Sequence, residues 1–130
     1  MRLWLALSLC AWAAPASADS LEEHDFILNC AGCHQVPGGG SPSVPSLHGI
    51  AGLPSDLAVR QYLIRVPGVA QAPLSDARLA RLMNWVVHRF TGGPLLPPYS
   101  EEEVAALRAH PFLDPLAART PLAVPPAIAR

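Results

Sequence analysis

Cys30-Ala31-Gly32-Cys33-His34 is the segment around which this 130-residue chain is best read. Two thiols three residues apart, followed at once by a histidine, make the pattern C-x-x-C-H of covalent haem c attachment. The residue types suit the chemistry. Each thiol can add to one vinyl group of the same porphyrin, giving two thioether bonds. The next residue is then held against the iron, where His34 supplies an imidazole nitrogen as proximal ligand. Covalent attachment lets a short chain keep a large cofactor that a small core would release.

Two other readings of a cysteine pair fit less well. A structural zinc needs two further ligands at matching spacing. The remaining cysteine, Cys10, lies in a segment expected to be removed. A thioredoxin-like dithiol belongs beside a βαβ pattern, and none is visible.

Residues 1–18 read as a secretory signal peptide. Met1-Arg2 is a short positive start, and Leu3 to Ala14 is an apolar run too short to span a bilayer. Ala16-Ser17-Ala18 is an A-x-A cleavage site, so the mature chain is expected to begin at Asp19. Leu9 is too bulky before Cys10 for a lipoprotein signal. Export points to the bacterial periplasm, where c-type haem is attached. No disulfide is then available, because the haem takes both remaining thiols.

Length and charge narrow the class further. The chain beyond residue 18 is long enough for one domain with a modest core. The 9 basic residues, all Arg, nearly balance 10 acids for a formal charge of −1. That balance argues against nucleic acid or an anionic membrane as partner. Charge is unevenly spread, with an acidic start at Asp19, Glu22, Glu23 and Asp25. Arg60, Arg65, Arg78, Arg81 and Arg89 make a basic middle.

The coarse structure is all-α. Ser20 with Glu23 forms a capping box for a helix carrying Leu21, Phe26 and Ile27 into the cysteine motif. Residues 37–54 are rich in Pro, Gly and Ser and read as an irregular loop. Ser55-Asp56 opens a helix from Leu57 to about Arg65, ended by Pro67-Gly68. Ser75-Asp76 opens another, Ala77 to Phe90, stopped by Gly92-Gly93-Pro94. Leu79, Leu82, Met83, Val86 and Phe90 share one face of it. Ser100 with Glu103 caps a short helix that ends before Pro111.

This order of helix, C-x-x-C-H, Pro-containing loop, helix, loop and helix resembles the class I c-type cytochrome domain. Phe26, four residues before Cys30, stands where that family has an aromatic. Val44-Pro45-Ser46-Leu47-His48-Gly49 resembles its G-P-x-L-x-G segment, with Val44 in place of the first Gly. The resemblance implies one covalent haem c bound by Cys30, Cys33 and His34. It also implies that the Pro45 carbonyl accepts a hydrogen bond from His34 and orients it. Trp85 resembles the aromatic of the last helix that packs near Phe26. The likeness covers about residues 20–91, giving a cytochrome c domain at 19–91 and a Pro-rich C-terminal extension with one short helix at 92–130.

The chain departs from the family at the distal side of the iron. A Met in the loop before the last helix usually binds there, but residues 65–75 contain neither Met nor His. Met83 is the leading candidate, although its place on an apolar helix face also suits core packing. His48 aligns near the haem edge, His88 lies opposite the apolar face, His110 is in the extension, and His24 is by the acidic start. An open or water-bound distal position is the other reading. Arg60 and Arg65 are expected either at the haem propionates or on a solvated helix face.

The resulting expectation is a non-enzymatic periplasmic monohaem cytochrome that moves single electrons. A periplasmic dehydrogenase would be its donor, and an oxidase or another cytochrome its acceptor. A haem with an open distal site, binding small ligands or doing redox catalysis, is one alternative. A fixed cytochrome subunit of a dehydrogenase complex, attached through the extension, is another. The extension holds eight of the 15 prolines and reads as a loosely ordered wrap rather than a docking arm.

Overall fold

A computed structural model describes residues 20–50, 56–95 and 97–122. The signal peptide, its cleavage site and Cys10 lie outside the described residues. Those residues form seven α-helical segments, one 3₁₀ turn and no strand, so the chain is all-α over this range.

Local capping explains most of the helix starts. Helix α1, Leu21–Asn29, begins where the Ser20 hydroxyl accepts the Glu23 amide. Helix α2, Ala31–His34, is a single turn directly after it. A 3₁₀ turn at Leu47–Ile50 interrupts the expected loop. Helix α3, Leu57–Arg65, starts at Asp56, whose carboxylate accepts the amides of Ala58 and Val59. Pro67 does more than stop α3. It occupies the first position of a short helix α4, Pro67–Ala70, where its missing N–H costs nothing. Helix α5, Asp76–Thr91, is capped by Ser75 and closed by Gly92 in the left-handed conformation, φ +79°.

The long helix α5 is the centre of the molecule. Its expected stripe of Leu79, Leu82, Met83, Val86 and Phe90 is buried, and Ala80 and Val87 widen it. Helix α1 packs across it through Phe26, whose ring centroid lies 5.6 Å from Trp85 and 5.4 Å from Phe90. Trp85 itself is only half-buried at this crossing. The other residues of α1 do not follow the simple expectation. Leu21 and Ile27 are exposed, while the acidic residue Asp25 is buried beside Phe26. Arg78 of α5 makes this possible, donating to both carboxylate oxygens of Asp25 at 2.6 Å.

Residues 97–122 of the C-terminal extension are packed on the helices rather than loosely wrapped. The extension carries two helices rather than one, α6 at Glu101–Arg108 and α7 at Pro115–Arg119. Leu95, Tyr99 and Val104 enter the same apolar core as α5. Asn84 exchanges two hydrogen bonds with the backbone of Tyr99, as a neighbouring peptide would. Prolines punctuate this segment, but Leu95, Tyr99 and Val104 bury apolar surface that fastens its described part to the core.

Arg60 and Arg65 both engage the C-terminal extension. Arg60 is buried, forks onto both carboxylate oxygens of Glu103 at 2.6 Å, and donates to the Pro97 carbonyl. Its guanidinium also covers the Tyr99 ring at 4.2 Å. Arg65 stacks on Phe112 at 4.0 Å and donates to the His110 carbonyl. Both cations therefore fasten the extension to α3. No helix among the described residues is long and apolar enough to cross a membrane.

Candidate functional site

Cys30 is the hinge on which the candidate site is built. It closes α1, its amide donating to Phe26, and it opens α2. Its carbonyl accepts the amides of both Cys33 and His34, at 3.1 and 3.0 Å. One tight turn thus carries the two thiols and the imidazole. Both thiols are free. Cys30 is half-buried against the core, and Cys33 is exposed.

Burial pushes the Cys30 thiol up to about 11, with the charges of Asp25 and then Cys33 adding to the effect. A thiol-exchange centre needs the opposite, a thiolate stabilised near neutral pH. The surroundings of Cys30 therefore oppose dithiol redox chemistry.

The imidazole of His34 is anchored from behind. Its Nδ1 lies 3.0 Å from the Pro45 carbonyl oxygen. A carbonyl only accepts, so Nδ1 carries the hydrogen and Nε2 keeps its lone pair. Nε2 has no hydrogen-bond partner among the described residues. Desolvation lowers the His34 pKa, and the Pro45 hydrogen bond opposes that shift without reversing it. A half-buried neutral imidazole with one committed nitrogen is the form in which histidine binds a metal.

The loop after His34 brings the Pro45 carbonyl back to it. Gln35 leaves the helix at φ +61°, the one non-glycine in the left-handed region among the described residues, and its side chain donates to the Gly40 carbonyl. Gly40 turns at φ +75°, and a Cβ there would lie 2.4 Å from the Val44 carbonyl oxygen. Ser41 and Val44 pair across that turn. Gly38, at φ +79°, sits where a Cβ would strike the Phe90 ring at 2.4 Å. The loop is therefore pressed against α5 on one side and His34 on the other.

The residues considered for the distal side are scattered. Met83 is buried among the core side chains of α5. His48 places Nε2 at 2.6 Å from the Pro37 carbonyl and its ring edge-on to Phe90. His24, His88 and His110 are exposed. Residues 66–75, without Met or His, fold as α4 and a following turn, with Val69 and Leu74 half-buried against the core. Among the described residues, no group of three or more His, Cys, Asp or Glu side chains gathers as a protein-only metal site would.

The donor set at residues 30–34 suits a haem. Two free thiols on one turn and an imidazole with its tautomer already set are what covalent attachment and proximal ligation require. Bound there, a haem would supply reversible one-electron chemistry at its iron. Cys30 and Cys33 would tether it, and the Pro45 carbonyl would orient the His34 ligand.

Some contributors left little trace in the sequence. Gln35 and Gly40 fall in a stretch legible only as a turn-rich loop, although its Gly38-Gly39-Gly40 run marked unusual backbone. Asp25 belongs to the acidic start in the sequence, and nothing local marks it as the one acid of that group that is buried among the described residues. No protein-family model, curated protein or solved structure matches the chain to significance.

Proposed function

We propose that this chain is a monohaem c-type cytochrome of the class I kind, exported to the bacterial periplasm, that transfers single electrons. One relationship carries the reading: His34 Nδ1 is tied to the Pro45 carbonyl while two free thiols sit on the same turn. Cys30 and Cys33 would hold haem c, and His34 Nε2 would be the proximal iron ligand. The Pro45 carbonyl would keep the imidazole oriented and basic, while burial favours its neutral form. The residues themselves move no proton in such a role. They would hold the group and its histidine ligand in place while it supplies one-electron chemistry.

A periplasmic dehydrogenase would donate the electron, and an oxidase or another cytochrome would accept it. A second reading has a specific observation behind it. Residues 66–75 offer no Met or His, and Met83 lies in the core. A distal side without a strong protein ligand would also bind small molecules.

The test is the purified mature protein. Covalent haem should survive denaturation, with Cys30 and Cys33 each modified in peptide mass spectra. Spectra of the oxidised and reduced protein, with and without carbon monoxide, then separate a closed electron carrier from an open haem. Mature protein carrying no covalent haem would overturn the proposal.

A further inference from the structure

We infer that Arg108 is a positioning residue which clamps segment 70–76 to the C-terminal extension, and thereby sets how readily a small ligand reaches the distal side of the iron. This rests on the haem reading proposed above. On that reading, residues 66–75 occupy the chain position of the distal loop. An iron-bound Met would ordinarily anchor such a loop, and this loop has none. Something else must hold it.

The geometry points to Arg108, at the end of α6. Its Nε donates to the Ala70 carbonyl at 2.9 Å, and Nη2 to the Ala72 carbonyl at 2.6 Å. Its Nη1 serves both the Leu74 carbonyl at 2.8 Å and Asp76 Oδ1 at 3.0 Å. One planar guanidinium thus gathers four acceptors from the end of α4 to the start of α5. The Arg108 side chain is 18% exposed, so these bonds are largely shielded from water. Few backbone bonds compete with them. Gln71 donates to Pro67, Ala72 to Val69, and Leu74 to Ala72, leaving the carbonyls of Ala70 and Leu74 to the guanidinium.

The other end of the segment is tied to the same extension. The Phe112 amide donates to the Arg65 carbonyl at 2.9 Å, while Arg65 stacks on the Phe112 ring and donates to His110. The segment from Arg65 to Asp76 is therefore pinned at both ends by residues 108–112. Lysine could not replace Arg108, because an ammonium lacks the planar fork that reaches several acceptors at once.

The experiment uses holoprotein with confirmed covalent haem, comparing the native chain with Arg108→Gln and Arg108→Lys. Two readouts are taken: amide hydrogen exchange by segment, and carbon monoxide association with the ferrous protein after flash photolysis. In Arg108→Gln, amides 69–74 should exchange at least about tenfold faster while α1 and the centre of α5 keep their protection. Carbon monoxide association should accelerate several-fold, with Arg108→Lys between the two. If Arg108→Gln also loses α5 protection, Arg65→Gln tests the other end of the clamp, with the same expectation. Unchanged exchange at 69–74 would overturn the clamp. Faster exchange with unchanged carbon monoxide association, or no binding by either protein, would overturn its role at the iron. Absence of covalent haem would overturn the haem reading and this inference together, and is recognised before either readout is taken.

Discussion

The carboxylate of Asp25 and the guanidinium of Arg78 meet as a two-fold fork, both contacts 2.6 Å, across the junction of α1 with the first turn of α5. The Asp25 side chain is 2% exposed, whereas Arg78 remains 38% exposed. The pair is thus a buried anion reached by a cation from the surface. It fixes the angle at which α1 delivers Cys30 to the core.

Asp25→Asn should therefore destabilise the protein by about 1–3 kcal/mol, since the amide cannot accept both guanidinium hydrogens through two charged oxygens. Urea unfolding followed by far-ultraviolet circular dichroism measures this. A change below about 0.5 kcal/mol would place Asp25 among ordinary surface positions.

At the crossing of α1 and α5, the two aromatics should differ in cost. Phe26 is fully buried, so Phe26→Ala should lose about 3–5 kcal/mol. Trp85 is half-buried, so Trp85→Ala should lose less, about 2 kcal/mol. Equal losses would mean that the Trp85 ring is enclosed more completely than its exposure indicates.

Attachment should fail in distinct ways. Cys30→Ala and Cys33→Ala should each leave at most one thioether, and His34→Ala should give little stable holoprotein. Mass spectrometry and haem spectra read both outcomes. Two thioethers in either cysteine variant would contradict the proposed site.

Gly40→Ala tests the Pro45 loop without touching a proposed ligand. The left-handed backbone and the 2.4 Å approach of the Val44 oxygen should together cost at least about 1–2 kcal/mol. If the His34–Pro45 bond loosens as a result, the reduction potential should shift as well. Unchanged stability would show that the turn relaxes freely.

Tyr99 predicts an alkaline limit. Its hydroxyl donates to the Arg60 carbonyl, and burial raises its pKa despite the opposing charge of Arg60. A raised folded-state pKa favours the protonated phenol. Its contribution is fully present below the unfolded value of about 10 and declines as pH rises above that value. Tyr99→Phe should flatten this decline between about pH 9.5 and 11 in thermal unfolding. An equally steep decline in the variant would assign it to another group.

The sequence by itself determined helices α1, α3, α5 and α6 and the donor types of the candidate site. Both are local: Ser20, Asp56, Ser75 and Ser100 cap through the next few amides, and C-x-x-C-H places three functional groups on one turn. The 3.6-residue period likewise marked the buried face of α5. Only tertiary structure decided which charged residues hold the molecule together. Arg60 with Glu103, Arg78 with Asp25, and Arg108 with Asp76 are ion pairs spanning 43, 53 and 32 residues. Nothing in the flanking sequence distinguishes such an arginine from one on a solvated face. The same holds for the extension, whose prolines suggested looseness. Tyr99 and Val104 fasten its described part because a complementary apolar face on α3 and α5 exists to receive them. Local hydrogen bonds can be read from neighbours in the chain, but burial of a charge or an apolar face requires the partner surface to be in place.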